Sequence, residues 1–377
     1  MIYEEIDRSP RRTLSETTRV LSRLKLDGPL VLGLALLACY GQVVLYSASG
    51  QDWQSVLRGS IRIGLGAVAM LALAQVKPGF LRRITPWLYG TGIMLLIIVD
   101  AIGYTGKGAQ RWLDLGIVRF QPSEIMKLAV PMMCAWYLRE RPLPPDGVTL
   151  LVLATIIGVP AGLTILQPDL GTGLLITMAG VLVVLLAGLQ WQIITGLAGV
   201  AGLAAWGGWY LLHDYQRQRV LTFIDPQQDP LGAGYHIIQS TIAIGSGGVF
   251  GKGYLNGSQG QLEFLPERST DFIFAVIGEE LGFVGCAILL LLYLLVVSRA
   301  IYLATQTQDT FARLLAGSLA LIFFVYVFIN AGMVSGILPV VGVPLPLISY
   351  GGTSMVTLLA GFGILMSPYS HRKFAAS

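Results

Sequence analysis

Residues 271–298 read DFIFAVIGEELGFVGCAILLLLYLLVVS, and this stretch decides the fold class. After its opening acid it is almost continuously apolar, with Glu279 and Glu280 as its other charged residues. A membrane-spanning helix needs about 20 mostly apolar residues, because the hydrocarbon core of a bilayer is about 30 Å thick. The stretch meets that requirement, so the sequence predicts a transmembrane helix here.

The same pattern recurs along the chain and predicts ten spans. They cover roughly residues 29–48, 60–77, 85–103, 122–139, 147–167, 169–188, 190–212, 271–298, 311–333 and 346–367. Hydrophobic residues make up 54% of the chain and charged residues only 12%, about half the charge of an ordinary soluble domain. We therefore predict an all-α polytopic membrane protein with about ten transmembrane helices and a large extracytoplasmic loop between spans 7 and 8.

The composition gives little indication of metal, redox or nucleic-acid chemistry. Cys39, Cys134 and Cys286 lie in apolar runs without metal or redox spacing, so we interpret them as helix-packing residues. The formal net charge is only +4. Residues 1–28 are polar and charged, and the first apolar run is long enough to span, so we expect an uncleaved anchor rather than a cleaved signal peptide.

Lysine and arginine residues in the loops predict the orientation, because they are enriched on the cytoplasmic side of membrane proteins. If the N-terminus is cytoplasmic, the inside segments carry more of these residues than the outside segments. Residues 1–28 and 368–377 are then cytoplasmic tails, and residues 29–367 form the membrane domain. The periplasmic loop 213–270 far exceeds the usual limit of about 15 residues for a structureless connection. It contains aromatic residues and glycines, so we expect an ordered extracytoplasmic cap.

Ionisable residues inside a bilayer are costly, so each one is a functional candidate. Glu124 and Lys127 stand three residues apart in QPSEIMKLAV, which places them on one face of a helix. Two interpretations remain open. The residues form a pair that neutralises itself and makes the helix tolerable, or they form a polar wall of a cavity in which Lys127 attracts phosphate.

Further acids lie near the outer ends of predicted spans. Asp169 in QPDLGT and Asp271 each stand where an acid would cap a helix N-terminus. A half-immersed Asp271 is also suited to act as a general base. Glu279 and Glu280 lie two turns deeper and, as neighbours, point about 100° apart. We therefore expect at least one of them to make a structural polar contact.

Six further cations are extracytoplasmic in the predicted topology. They would suit a pyrophosphate ligand, but they would equally suit contacts with lipid head groups. They are Arg111, Arg119, Arg217, Arg219, Lys252 and Arg268. For Arg217 and Arg219, a structural network with Asp214 and Asp225 is at least as good an explanation.

The segment 332–352, GMVSGILPVVGVPLPLISYGG, is apolar but rich in glycine and proline. Such a loop would leave backbone polar groups unpaired if it faced lipid, so it must pack against protein or line a cavity. A groove for an isoprenoid tail and simple loop packing both remain open. Together, these residues predict a charged cavity at the outer face of a helical bundle. The cavity would suit an enzyme that acts on a lipid-linked anion, or a transporter that moves one.

Over residues 29–373 the sequence resembles the SEDS family of shape, elongation, division and sporulation proteins. Five motifs occur in the family's order and spacing: KGAQRWLDLGIVRFQPSEIMK, QPDLGT, DPLGAGYHIIQS, FLPERSTDFIFAVIGEELG and PLISYGG. HDYQRQRV and GVPLPLISYGG are more similar to the elongation member of the family than to the division member.

The resemblance implies a peptidoglycan glycosyltransferase that polymerises lipid II at the outer face of the bacterial inner membrane during cell elongation. It implies Asp271 as the essential aspartate, Glu124 and Lys127 as a buried acid–base pair, and Asp169 as a supporting acid. It also implies partners, namely a class B penicillin-binding protein and other elongation proteins. We expect a divalent cation, Mg²⁺ or Mn²⁺, to assist the reaction, with its ligands unassigned.

Two other functions remain open, a lipid II flippase and a non-catalytic scaffold for the penicillin-binding protein. A flippase needs access from both faces of the membrane. Here the ionisable residues cluster at one face and the inner connections are short and mainly basic, which favours the enzyme.

Overall fold

The computed structural model describes residues 25–106, 109–114, 119–211, 217, 221–222, 225, 233–261, 264–265 and 267–370. Arg219 and most of both predicted cytoplasmic tails lie outside these ranges. Within them the chain forms twelve α-helices: α1 Gly28–Ala48, α2 Trp53–Gln75, α3 Pro78–Ile102, α4 Pro122–Leu138, α5 Gly147–Leu166, α6 Leu170–Leu186, α7 Trp191–Gly208, α8 Ala233–Gly247, α9 Ser258–Gln261, α10 Ile273–Thr305, α11 Thr310–Val334 and α12 Thr353–Ser370.

Each predicted span corresponds to one long helix, α1 to α7 and α10 to α12, which confirms the all-α membrane fold. Within the described ranges, six helices are long and apolar enough to cross a membrane, namely α1, α2, α3, α5, α10 and α11. Helices α6 and α12 are shorter but also apolar. Large apolar side chains such as Trp87 and Leu32 are 79% and 61% exposed, as expected for a surface that faces lipid.

Four predicted boundaries were wrong by seven residues. Helix α3 begins at Pro78 rather than at residue 85, and α10 ends at Thr305 rather than at residue 298. Helix α2 begins at Trp53 rather than at residue 60, because Asp52 caps it by accepting hydrogen bonds from the backbone N–H groups of Gln54 and Ser55 at 2.9 and 3.1 Å. The tenth span, predicted from residue 346, becomes helical only at Thr353. The prolines of the PLPL run restrict the backbone before it.

A small antiparallel sheet between α3 and α4 was not predicted. Strands β1 Tyr104–Gly106, β2 Ala109–Asp114 and β3 Arg119–Phe120 pair in the order β1-β2-β3. The strands are too short to give a clear alternating pattern in the sequence. The sheet lies in the predicted outer loop 104–121 and carries Arg111 on β2 and Arg119 on β3.

Helix α10 is broken at Gly282, whose φ of 64° and ψ of −162° are not helical. The backbone carbonyls of Glu279 and Glu280, before the break, accept hydrogen bonds from the N–H groups of Lys252 and Gly253 at 3.0 Å each. After the break, the next two N–H groups donate to carbonyls of residues 248 and 249 at 2.9 and 3.1 Å. Residues 248–253, here called the closing loop, therefore pair backbone groups that the break would otherwise leave unpaired.

Helix α11 lies at the centre of the bundle. Of its membrane-length stretch 72% is buried, compared with 22–39% for the other five long apolar helices of the described chain. It packs against α4, α6, α10 and α12. Polar side chains on α11 and on the facing side of α4 are therefore enclosed by protein rather than by lipid.

Candidate active site

Asp271 lies at the N-terminal end of α10, just before its first turn, and is partly buried. The two residues before it are held by the non-helical segment 335–352. The Ser349 hydroxyl donates to the carbonyl of Thr270 at 2.5 Å, and the Tyr350 N–H donates to the carbonyl of Ser269 at 2.8 Å. This segment and α10 therefore fix the backbone that carries the acid.

The segment 335–352 also forms a wall beside the Asp271 carboxylate. A Cβ atom added at Gly342 would lie 3.4 Å from Oδ2 of Asp271. Asn330 on α11 holds both sides of this contact, because its Nδ2 donates to the backbone carbonyls of Asp271 and Val343 at 2.8 and 2.7 Å. The glycine- and proline-rich segment thus packs against protein beside the predicted catalytic acid.

Glu124 and Lys127 form a buried ion pair on α4. Nζ of Lys127 lies 2.7 Å from Oε1 of Glu124, and the two residues are only 6% and 5% exposed. The same Nζ lies 5.3 Å from the centre of the Tyr326 ring and 3.5 Å from the Ser354 hydroxyl. Oε2 of Glu124 is buried and has no hydrogen-bond partner within the described part of the chain. The two charges therefore neutralise each other, but one carboxylate oxygen of the pair lacks a hydrogen bond in the described part of the chain.

Lys127 also lines a cavity between α4, α11 and α12. The space open to the centre of a water molecule is about 20 Å³, enough for roughly one ordered water. Apart from Lys127, Tyr326 and Thr357, the lining is apolar and includes Leu319, Ile322, Phe323 and Phe362. Lys127 therefore lies at the polar end of an otherwise apolar cavity.

Helix α11 connects these two groups of residues. Tyr326 and Asn330 are four residues apart, about one turn, and so lie on the same face. Tyr326 faces Lys127, and Asn330 binds Asp271. The predicted general base and the predicted acid–base pair therefore lie along one side of the central helix.

Asp169 and Arg111 lie at a second site, where β2 meets the α5–α6 turn. Asp169 caps α6 by accepting from the Thr172 N–H at 3.3 Å, and it accepts from Nε2 of Gln121 at 2.9 Å. Nη1 of Arg111 lies 3.8 Å from Oδ1 of Asp169, and its guanidinium also donates to the carbonyls of residues 167 and 168. In this structure both side chains join β2 and the start of α4 to the α5–α6 turn.

Glu279 and Glu280 both bind neighbouring segments. Glu279 is fully buried and accepts from Nζ of Lys252 at 2.6 Å and from the Ser258 hydroxyl at 3.1 Å. Glu280 accepts from the Ser47 hydroxyl of α1 at 2.6 Å. Glu279 thus attaches the closing loop and the start of α9 to α10. Glu280 attaches α1 to α10.

Two further predicted cations, Arg217 and Arg268, bind backbone carbonyls. Arg217 donates to the carbonyls of Trp209 and Tyr210 at 3.0 and 2.8 Å, which satisfies groups just after the end of α7. Arg268 donates to the carbonyl of Gly260 in α9. These contacts fix the segments on either side of α8. A role of either residue in substrate binding stays a prediction.

No group of three or more His, Cys, Asp or Glu side chains comes together to hold a metal ion within the described ranges. The donor set of this part of the chain therefore does not fit a resident metal centre.

His236 on α8 is a residue near the site that the sequence analysis did not single out. Its ring stacks on Phe272, the neighbour of Asp271, with centroids 5.6 Å apart and planes at 18°. Its Nδ1 is buried without a hydrogen-bond partner among the residues that the structure describes. Burial lowers the pKa of His236 below its usual range, and the nearby charge of Glu267 partly opposes this.

We expect the docking of α8 onto α10 to weaken in mild acid. When α8 is undocked from α10, His236 is exposed and has the higher pKa of a free histidine, about 6.5. The undocked protein therefore takes up a proton first as the pH falls through that value. Wild-type protein should therefore lose more thermal stability between about pH 7.5 and about pH 5.5 than His236→Phe, which keeps the stacking. Equal losses in melting temperature for both proteins would contradict this prediction.

Comparisons with known proteins identify the family. The FtsW/RodA/SpoVE family model, described as a cell cycle protein, matches residues 29–373. The chain is 53% identical to the peptidoglycan glycosyltransferase MrdB of Escherichia coli K12 over 352 residues, which cover 93% of this chain and 95% of the relative.

Solved structures agree with this match. One is a chain from a peptidoglycan synthase complex studied for its coordination of polymerization and crosslinking. It is 36% identical, with a TM-score of 0.80 over 91% of this chain and 97% of that chain. Another is the rod shape determining protein RodA of Thermus thermophilus, 31% identical, with a TM-score of 0.70 over 92% and 98%. The resemblance found in the sequence is thus confirmed, and the chain belongs to the FtsW/RodA/SpoVE family.

Proposed function

We propose that this chain is a peptidoglycan glycosyltransferase that polymerises lipid II into glycan strands during cell elongation and rod-shape maintenance. The observation that carries the proposal is the placement of Asp271. A buried amide on α11 and the 335–352 segment hold it at the N-terminal end of α10, on the same side of α11 as Lys127. Relatives named as peptidoglycan glycosyltransferases support the reaction class.

In the proposed reaction, Asp271 accepts the proton of the GlcNAc 4-hydroxyl of the acceptor lipid II. The oxygen released attacks C1 of the donor sugar as the bond from C1 to the pyrophosphate oxygen breaks. The configuration at C1 inverts, and undecaprenyl pyrophosphate leaves with the electron pair. General-base assistance of this kind typically accelerates a reaction by about 10²–10⁴.

The leaving group is an anion, so a nearby cation should stabilise it. We assign this role to Lys127, because it lies at the polar end of a cavity whose other walls are mainly apolar. The lining has the right chemistry for the junction between a phosphate and an isoprenoid, and the substrate must widen the cavity, which in this structure has room for roughly one water. Glu124 keeps the ammonium oriented through their 2.7 Å contact. Asp169, Arg111, Lys252, Arg217 and Arg268 support the site by ordering the outer face.

A divalent cation is expected to enter with the substrate rather than to reside in the protein. Mg²⁺ is usually bound by one or two carboxylates together with substrate phosphates, and Asp271 would be one such carboxylate. Chelation should therefore reduce polymerisation without lowering the melting temperature of the substrate-free protein. A matching loss of stability would indicate a structural metal instead.

We place the chain in the bacterial inner membrane with both termini cytoplasmic and the Asp271 site periplasmic. The distribution of lysine and arginine along the loops supports this orientation. We infer that the partner is a class B penicillin-binding protein, which cross-links the strands as they form. The similarity to a chain from a peptidoglycan synthase complex supports such a partner.

The direct test is polymer formation from purified components. The protein is purified with its penicillin-binding protein, supplied with lipid II in detergent, and assayed for glycan polymer on a gel. Detergent abolishes the two sides of the membrane, so a flippase would make no polymer and the proposed enzyme would make a ladder. A scaffold would make none either, and its Asp271→Asn variant would behave as wild type in cells.

Lys127→Met should reduce polymerisation by at least about 10-fold while the protein still assembles, because the length of the side chain is kept and only the charge is lost. The single variants Glu124→Gln and Lys127→Met and their double variant should be measured together, since paired residues act non-additively. If Lys127→Met polymerises at the wild-type rate, Lys127 is only a structural counter-ion.

A further inference from the structure

Asn330 is the side chain at this site that the proposed reaction leaves without a role. It is fully buried on α11. Its amide contacts two backbone carbonyls, those of Asp271 and Val343, at 2.8 and 2.7 Å. Because both partners can only accept hydrogen bonds, the NH₂ group must face them, which removes the usual ambiguity between the nitrogen and oxygen of an amide.

The two carbonyls belong to the two structures that meet at the carboxylate. One is the backbone of Asp271 itself. The other is the carbonyl of Val343, the residue after Gly342. Gly342 has a φ of +74°, which favours glycine, and a Cβ atom added there would lie 3.4 Å from Oδ2 of Asp271. One amide therefore sets the separation between the carboxylate and the wall that confines it. The Oδ1 atom of Asn330 is buried, with no hydrogen-bond partner in the described part of the chain, so its amide is not fully satisfied by packing alone.

This geometry matters because a general base acts only when it reaches the proton it removes. A misplacement of about 1 Å at a reacting group can cost about 10²-fold in rate. Neither hydrogen bond of Asn330 involves the carboxylate oxygens, so its influence on them is through position alone.

We propose that Asn330 is a positioning residue for Asp271, which fixes the carboxylate against the Gly342 wall in the orientation that proton removal requires. The inference rests on the proposed function and extends it, since it concerns a residue that does not touch the reacting atoms.

A second buried polar residue on the same helix provides a matched control. Ser318 is fully buried, and its hydroxyl donates to the carbonyl of Ala179 on α6 at 2.8 Å. Like Asn330, it makes a buried hydrogen bond from α11 to a backbone carbonyl, but it lies about three turns from Asn330 along the helix. Ser318→Ala therefore reports the cost of losing a buried hydrogen bond away from the acid.

The experiment compares wild type, Asn330→Ala, Asn330→Asp and Ser318→Ala, each purified with the penicillin-binding protein. Polymerisation is measured against lipid II concentration and against pH, together with the melting temperature. For Asn330→Ala we expect kcat to fall by about 10- to 100-fold with KM within about twofold of wild type. We also expect the acid side of its pH–rate profile to move. Ser318→Ala should lose stability but keep kcat within about twofold.

Asn330→Asp tests whether shape or hydrogen bonding matters. It has nearly the same volume but cannot donate two hydrogen bonds, so its kcat should fall as in Asn330→Ala. The proposal is overturned if both Asn330 variants keep kcat within about twofold of an active wild type, or if they lose no more than Ser318→Ala. If wild type makes no polymer, the proposed function itself fails, and this inference fails with it.

Discussion

Asp271→Asn is expected to leave the protein folded and to reduce glycan polymerisation by at least about 100-fold. Asparagine has nearly the same size as aspartate and keeps the backbone carbonyl that Asn330 binds. The hydrogen bond from Asn330 and the packing around residue 271 should therefore persist. What it loses is the ability to accept a proton from the acceptor hydroxyl. The rate with lipid II in detergent measures the loss, and the melting temperature checks the fold.

Asp52→Asn is the matched control for this prediction. Asp52 likewise directly precedes a helix, α2, and accepts hydrogen bonds from its first N–H groups. Asparagine caps helices about as well as aspartate, so polymerisation should stay within about twofold of wild type. If the two variants had equal activity, Asp271 would have a structural role rather than that of a base.

Gly251→Ala is expected to prevent the closing loop from seating on the broken helix α10. Gly251 has a φ of +80°, and a Cβ there would lie 2.1 Å from the carbonyl oxygen of Glu280 and 2.7 Å from the nitrogen of Gly282. These are backbone atoms, which cannot move aside as a flexible side chain can. Positive-φ strain together with unpaired backbone groups should cost at least about 2 kcal/mol.

The expected result is a clear fall in melting temperature and in the yield of folded protein, with activity lost in proportion. Gly248→Ala separates the strain of a positive φ from the steric clash with the backbone of α10. Gly248 also has a positive φ, +56°, but its Cβ would meet no atom within 4 Å. That variant should lose only about 1–2 kcal/mol, the usual cost of a left-handed backbone. Similar losses for both variants would show that contact with α10 is not what Gly251 provides.

The helical spans could be predicted because hydrophobicity along the chain reports the membrane directly. The start of α2 could not, because Arg58 and Arg62 interrupt its apolar run and the helix begins at the Asp52 cap instead. The break at Gly282 was missed for the opposite reason. The residues around it are mostly apolar, and the hydrogen bonds that make the break tolerable come from the closing loop, about 30 residues earlier.

The individual charged residues of the site were found because charge in a membrane is rare, and the Glu124–Lys127 pair followed from its spacing on one helix. Partners that lie on different segments were not found. Nothing in the sequence pairs Glu279 with Lys252 or Glu280 with Ser47, since each contact joins segments that only the fold brings together. Asn330 was missed because a neutral amide within an apolar run carries little signal. Its importance appears only when its two carbonyl partners are known.

The central claim is that this chain itself forms the glycosidic bond at Asp271. The most direct measurement is the amount of glycan polymer made from lipid II in detergent by wild-type and Asp271→Asn complexes, purified identically with the same partner. We expect a polymer ladder from wild type and less than about one hundredth of it from the variant. Equal polymer from both complexes, or none from wild type, would contradict it.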